Sequence, residues 1–563
     1  MNIKHFLGTE NWQKEVEGGR SFLLGNDLGD YLWLANTPTS RYQGWFIAPK
    51  EERGNEFKII EDIRPVNRRE ATNLENYFSR VKRSGPDFEE TFSLCLESHK
   101  FIYQLKEERK VELILDMRES YSDDYPDYEI EDLGDIILIK AKEVDLYLSI
   151  KGFDSFELIE ERFVRSYEKD KERSSPPFEK AVFKALNMTG EKFTFGAGTS
   201  KEEALDALSR AVSFKNFTNR REPVDFVAAE TGLDNLLVDG RNIYAGFPWF
   251  FQFWQRDEAI SLRGLKIIKP KEAKEVFWSL VNRNSKGPRG NKIADGVGWT
   301  FKRAFLFLNE LTEKEEDLLV KRLREKVDFN RDGFMITDYK ETWMDSISRK
   351  GARIELQALQ LAIYKLGKLI DDKNSDLYQR KEVDLKRKVR DKFWDGSILA
   401  DGYDPEADWT DKTIRPNIFL AYYIYPDLLS DEEWEACFRR SLYDLWLDWG
   451  GLATVSKRSP AFQSEHTGEN PQSYHQGDSW FFVNNLAAIA MNRLNSGKFS
   501  YEINKILKAS REDLLWNGAI GHHSEVSSAS ALRAQGAISQ AWSFATYLEA
   551  MYEVFKIKNF NWS

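Results

Sequence analysis

Two textures of hydrophobic patterning divide the chain. Over the first 165 or so residues, apolar and polar positions alternate in short runs such as 57–63, 91–97, 110–116 and 135–139, separated by polar turns. A period of two puts apolar side chains on one face of a strand, so this region predicts a β-rich domain. The stretch 165–180, RSYEKDKERSSPPFEK, is charged and carries Pro176-Pro177. It predicts a linker or a domain edge. A helix is expected over 200–211, with Ser200 as N-cap and Glu202 and Glu203 in the first turn.

After residue 220 the period changes. About a dozen amphipathic helical stretches recur, each followed by a loop containing Gly, Asp, Asn or Pro. No sequence repeat of solenoid length is visible. So many helices with aromatic, acidic loops between them predict a toroid of helix hairpins, an (α/α)6 barrel with a loop-built funnel at one end. The expected architecture is therefore multidomain α+β: a β-sandwich-like N-terminal domain over 1–180, a helical linker over 181–225, and an (α/α)6 catalytic domain over 226–563.

Charge and composition narrow the chemistry. The 563 residues carry a formal net charge of −11. That lacks the basic footprint a nucleic-acid binder needs. The two cysteines, Cys95 and Cys437, are far apart, which excludes a disulfide framework and a cysteine metal site. The opening residues have no apolar core of signal-peptide length, and no run of about 18 apolar residues occurs, so the expectation is a cytoplasmic protein with no membrane partner. There are 17 Trp, fourteen of them after residue 220. They either fill a large aromatic core or stack on the apolar faces of sugar rings. Phosphate-loop, zinc-protease, nucleophile-elbow and dinucleotide-binding motifs are absent, so no cofactor is expected.

Four loops hold acids among aromatic residues, where desolvation raises a carboxyl pKa. In 242–265, seven aromatics precede Arg256-Asp257, which opens a helix. The pair either caps that helix or binds vicinal sugar hydroxyls. In 338–366, Asp345 follows Trp343-Met344, and Glu355 stands near the start of a long helix. A carboxyl against an indole is one way to keep a general acid protonated; an N-cap role is the other reading. In 465–487, His466 and His475 have a spacing that matches no zinc pattern, so His475 and Gln476 are read as hydrogen-bonders and Trp480 as platform or core. In 516–551, Glu525 sits in a small-residue loop before the last helix. The segment 328–339 places Asp328, Asn330, Asp332 and Gly333 like a calcium loop, but Tyr339 stands where the bidentate Glu belongs, so an Asx-rich turn and no metal are expected. An acid pair with aromatic walls and no cofactor motif points to glycoside hydrolysis.

At these loops the sequence resembles the amylo-α-1,6-glucosidase family, the bacterial and archaeal type of glycogen-debranching enzyme. Ala245-Gly246-Phe247-Pro248-Trp249-Phe250, followed by Trp254-Gln255-Arg256-Asp257, resembles the family's A-G-[YF]-P-W-F loop and W-x-R-D. Thr342-Trp343-Met344-Asp345 matches T-W-M-D, and Arg349 to Leu359 matches R-x-G-x-x-x-E-x-x-A-L with Glu355 as its acid. Tyr474-His475-Gln476-Gly477-Asp478-Ser479-Trp480 matches Y-H-x-G-x-x-W, Ser524-Glu525 falls on the loop of the catalytic base, and Gln540-Ala541-Trp542-Ser543 matches Q-A-W-S. Residues 21–48, with Arg41-Tyr42-Gln43-Gly44, look like a diverged N-terminal β-domain opening. Two departures stand out: Glu525 is followed by Val-Ser-Ser-Ala rather than Ile-Phe-Asp-Gly, and the usual Gly-Asp-Trp-Gly-Arg-Asp is Gln-Phe-Trp-Gln-Arg-Asp.

The resemblance implies an inverting hydrolase that releases glucose from α-1,6 branch points of glycogen or branched dextrin. Asp345 would be the general acid and Glu525 the base. Trp249, Trp254, Arg256, Asp257, Trp343, Glu355, His475, Gln476 and Trp480 would bind the α-glucan. A glucoamylase- or trehalase-type exo-α-glucosidase, or a non-catalytic carbohydrate-binding homologue, would fit the same motifs.

Overall fold

Two antiparallel strands of twenty residues, Lys100–Glu119 and Glu179–Gly198, form the spine of the N-terminal unit. Each changes neighbours along its length. The first half of Lys100–Glu119 pairs with Glu89–Leu94 and its second half with Phe57–Pro65. Glu179–Gly198 pairs first with Ser155–Ser166 and then with Tyr147–Lys151. Strands that switch neighbours in this way turn one hydrogen-bonded network into a layered, sandwich-like arrangement. The network has sixteen strands among the described residues, which are 1–50, 55–123, 125–217, 220–283, 294–326 and 333–556 of this computed structural model. Aromatic rows fill its interior; Phe101 stacks on Phe195 at 5.3 Å and lies 5.8 Å from Trp45.

The chain divides into two units. One is Met1–Asp239 with Gly246–Phe251 and Leu514–His523; the other is Gly240–Ala245, Gln252–Asp513 and Ser524–Ser563. The helical linker expected over 181–225 is replaced over much of its length by the strand Glu179–Gly198. Its alternation buries Val182, Phe193, Phe195 and Ala197, and a period of two outweighs its helix-forming residues. A helix does follow at Lys201–Ser209, with Ser200 Oγ accepting from Glu203 N at 3.2 Å. The charged stretch 165–180 lies inside the first unit rather than at a boundary. Its Asp170 accepts from Ser40 Oγ and from Arg41 N, both at 2.7 Å.

The second unit carries the toroid. Six helices form a closed ring: Gln255–Ile268 packs on Ala294–Ala304, then Ile354–Ile370, Asn417–Ile424, Phe481–Asn495 and Ala541–Phe555, which returns to Gln255–Ile268. Outer helices alternate with these in the chain: Pro270–Asn282, Glu313–Lys326, Ser375–Phe393, Asp431–Leu445 and Ser500–Trp516. Their patterns differ as their positions require. All eight residues of Asn417–Ile424 are buried, whereas Ser375–Phe393 buries Tyr378, Glu382, Leu385, Val389 and Phe393, a single stripe. Close approach closes the ring: a Cβ on Gly264 would stand 2.4 Å from Ala545 Cα.

The connections alternate in length. Those from an inner to the next outer helix are short, such as Lys269 alone or 371–374, whereas those entering an inner helix are long, such as 394–416 and 446–480. The long ones therefore cluster at the N-terminal ends of the inner helices, which is where the motif residues fall. Among the described residues, no helix is long and apolar enough to cross a membrane. The calcium-like residues 328–332 lie outside the described residues.

Candidate active site

The first inner helix carries Arg256 and Asp257, both buried, as its second and third residues, behind the half-buried N-cap Trp254. Arg256 Nε stands 2.8 Å from both carboxyl oxygens of Asp295, the second residue of the next inner helix. Its Nη1 stands 3.5 Å from Asp345 Oδ2. One guanidinium thus joins two carboxyls. Burial raises the pKa of Asp295 against the pull of Arg256. Asp257 is pushed well above the ordinary carboxyl range, first by burial and then by the negative field of Glu525, Asp345 and Asp295. Gln540 Nε2 approaches Asp257 Oδ1 at 3.4 Å.

Asp345 hangs from a loop fastened on several sides. Trp343 N donates to Asp295 Oδ2 at 2.8 Å, and Trp343 Nε1 donates to Asn417 Oδ1 at 2.8 Å. Arg349 Nη1 donates to Thr342 Oγ1 at 3.0 Å. The same guanidinium binds Glu355 Oε1 at 2.6 Å and Asp401 Oδ1 at 2.9 Å. Asn417 Nδ2 closes the network on Asp401 Oδ1 at 2.7 Å. A buried ion cluster of this kind holds its geometry because every departure leaves a charge unpaired. Asp345 itself stays accessible, with 43% of its side chain exposed, though protein crowds around it. That crowding raises its pKa against the opposing charge of Arg256.

Aromatic side chains pack behind the acids. Trp343 meets His475, Trp480 and Phe482 edge-on at 5.3–5.5 Å. His475 stacks on Trp480 at 4.9 Å, and Phe482 stacks on Trp542 at 4.3 Å. Trp480 Nε1 donates to the Tyr474 carbonyl at 2.7 Å. Burial, then Arg415, Arg349 and Arg256, hold the His475 pKa well below its usual value. The neutral imidazole accepts at Nδ1 from Ser346 N (3.3 Å) and contacts Ser346 Oγ at 2.6 Å, one residue from Asp345.

Glu525 lies in the connection to the sixth inner helix and is buried. Tyr474 Oη donates to its Oε1, and Ala537 N donates to its Oε2 at 3.0 Å. The backbones of Glu525 and Ala537 are also bonded, N to O at 2.8 Å. Gly536 between them has φ +65, and a Cβ there would meet Glu525 Oε2 at 2.3 Å. Only glycine fits that combination of left-handed backbone and close approach. Asp345, Asp257 and Glu525 all act electrostatically on Tyr474, so the three carboxyls share one neighbourhood.

The sequence-derived residues do not all stand alike. Arg256, Asp257, Trp343, Asp345, His475, Trp480 and Glu525 are gathered by the contacts above. Glu355 belongs to the buried Arg349 cluster, with both oxygens bound. Gln476 is half-buried and donates to the Gln472 carbonyl at 3.3 Å. Trp249 groups with the first unit, 3.5 Å under the Arg173 guanidinium and edge-on to Tyr42. Sequence reasoning did not single out Asp295, Asn417 or Asp401. Asp295 stands in Ala-Asp-Gly-Val-Gly, with only small or aliphatic residues beside it.

These features meet a family resemblance that covers most of the helical unit. The family described as amylo-alpha-1,6-glucosidase matches residues 223–314 and 323–549. No curated protein sequence matches the chain. Among solved structures, the chain is similar to a bacterial glucoamylase complexed with acarbose, with a TM-score of 0.63 and 11% identity over 97% of this chain and 96% of that one. It is also similar to a glycosidase in complex with glucose, with a TM-score of 0.43 and 12% identity over 59% of this chain and 97% of that one. A third is an uncharacterized conserved protein from Thermus thermophilus, with a TM-score of 0.43 and 13% identity over 58% of this chain and 99% of that one. The glucoamylase likeness carries the fold, a β-sheet region followed by an (α/α)6 barrel. The family match covers more than half of the chain, and with the carboxyl cluster at the ring's N-terminal mouth it places this protein in the amylo-alpha-1,6-glucosidase family, as a glycoside hydrolase.

Proposed function

We propose that this enzyme is an inverting glucosidase that releases single glucose units from α-1,6 branch points of glycogen-type glucans. The observation that supports it most is the contrast between two carboxyls in one site. Asp345 is accessible, raised in pKa and set beside Arg256, whereas Glu525 is buried and held by Tyr474 and Ala537 N. Two carboxyls in unlike settings suit unlike roles. Asp345 protonates the glycosidic oxygen as its bond to C1 breaks. Glu525 takes a proton from the water that attacks C1 from the opposite face, and the product is β-glucose. Inversion of this kind calls for carboxyl groups ~6.5–9.5 Å apart, with room for that water.

Arg256 and Asp257 bind the hydroxyls of the terminal glucose. Trp254, Trp343 and Trp480 wall that subsite, and His475, Gln476 and Glu355 support its polar side. Glucose release followed by proton NMR tests the reading. The substrates are a phosphorylase limit dextrin pretreated with a glucanotransferase, and linear maltooligosaccharide. Release of β-glucose from the first alone is the expected result. Release from the linear chains moves the enzyme to a glucoamylase-type activity. Release from neither makes trehalose the next substrate and, if that also fails, leaves carbohydrate binding without catalysis.

A further inference from the structure

We propose that Asp295 is a positioning residue that fixes both the place and the proton affinity of Asp345, an inference that rests on the reading of Asp345 as the general acid. Asp295 is fully buried at the start of the second inner helix. Its carboxylate does two things at once. Both oxygens receive Arg256 Nε at 2.8 Å, and Oδ2 also receives the backbone N–H of Trp343 at 2.8 Å. The first contact turns the guanidinium so that Nη1 faces Asp345 at 3.5 Å. The second pins the acid's own loop two residues before it. A single side chain therefore sets both sides of the Arg256–Asp345 gap.

The electrostatic consequence has a definite sign. Of the three carboxyls that act on Arg256, Asp295 offsets its positive charge the most, and its own negative charge disfavours a second carboxylate nearby. Both effects keep Asp345 protonated to a higher pH. Among the described residues, the other charged or titratable groups around Asp345 are Arg256 and Asp257 from the first inner helix and Lys340 from its own loop. Tyr474 and neutral His475 come from the loop before the fifth inner helix, and Glu525 from the loop before the sixth. None of these replaces a charge lost at Asp295. With Asp295→Asn, Arg256 loses its hydrogen-bonded carboxylate partner and acts more strongly on Asp345, the acid ionises earlier, and the basic limb of the rate profile moves to lower pH.

The test compares wild type, Asp295→Asn and Asp345→Asn on a branched glucan and on α-glucosyl fluoride, whose leaving group needs no protonation. Asp295→Asn is expected to lower kcat on the glucan by about 30-fold or more and on the fluoride by about threefold or less, since general-acid assistance supplies roughly 10²–10⁴-fold. The basic limb of kcat/KM on the glucan should fall by about one pH unit. Equal losses on both substrates, or an unmoved basic limb, would overturn the inference while leaving Asp345 as the acid. A wild-type rate on the glucan for Asp345→Asn would instead remove the functional reading on which it rests. If Asp295→Asn does not fold, Asp295→Glu keeps the charge and shifts it by one methylene. A glucan-selective loss in that variant supports the positioning role, and an equal loss on both substrates overturns it.

Discussion

The phenol of Tyr474 donates a hydrogen bond to Oε1 of Glu525. Burial, followed by the charge of Glu525, pushes the Tyr474 pKa well above its usual value, so the phenol stays a donor throughout the working range. Tyr474→Phe leaves one oxygen of a buried carboxylate without that donor. Losing such a partner costs about 1–3 kcal/mol, so kcat should fall roughly 10- to 100-fold while KM changes by less than about threefold. Steady-state kinetics on a branched dextrin decides this. An unchanged kcat would show that Tyr474 is not needed to orient Glu525.

Gly536 holds the opposite side of the same carboxylate. Its φ of +65 and the 2.3 Å that would separate a Cβ from Glu525 Oε2 leave no room for a side chain. Gly536→Ala should lower kcat by at least about tenfold, with a backbone strain cost of only about 1–3 kcal/mol in stability. The comparison is kcat against the thermal unfolding midpoint of the same preparation. A large drop in the midpoint with normal kcat at low temperature would mean that Gly536 serves the fold and not Glu525.

The resemblance implies that Glu355 binds substrate, but both of its oxygens are taken by Arg349 Nη1 at 2.6 Å and Nη2 at 3.1 Å. Arg349 and Glu355 are both buried. With Asp401 still pairing Arg349, losing one charge-assisted hydrogen-bonded partner costs about 1.5–3 kcal/mol. Glu355→Gln should therefore lower the unfolding midpoint clearly and act on kcat through the Thr342–Asp345 loop. A variant with wild-type stability and a KM raised at least about tenfold would restore a direct substrate contact.

The parts of this fold that the sequence revealed are the parts written in local period. Ser200 caps its helix, the strand Phe57–Pro65 contains the expected run 57–63, and the buried stripe of Ser375–Phe393 recurs every three or four residues. Glu179–Gly198 escaped because its Ala, Leu, Glu and Lys content favours helix, while its pairing with Lys100–Glu119 is a tertiary fact. The site divides in the same way. Arg256, Asp345 and Glu525 sit in recognisable motifs, whereas Asp295 is identified by Arg256, 39 residues away, and Asn417 by Trp343, 74 residues away. Each is a plain polar residue at the start of an inner helix. Its meaning appears only once the ring brings those starts together.

Two of the six histidines give the first unit an acid-sensitive seam. His5 Nε2 donates to the Leu515 carbonyl at 2.8 Å, and His522 Nε2 donates to the Leu23 carbonyl at 3.1 Å. They tie the segment Leu514–His523 to the first strands, where Ala519–Ile520 pairs in parallel with Ser21–Phe22. Burial lowers both pKa values from 6.5 to about 4, against the smaller effect of each carbonyl bond. In the unfolded chain these groups take up a proton near pH 6.5; in the folded chain they resist until about 4. Their stabilising contribution is therefore complete above pH 6.5 and lost as the pH falls towards 4. For each histidine the loss is on the order of 3 kcal/mol. His522→Gln keeps an N–H able to reach the Leu23 carbonyl but cannot titrate. Denaturant midpoints measured from about pH 7.5 to about 4.5, a range that covers most of the loss, should fall less steeply for that variant than for wild type, with the curves converging in shape above about pH 7. An identical slope in both proteins would mean that His522 is already protonated in the folded state, and that its bond to Leu23 survives the added charge.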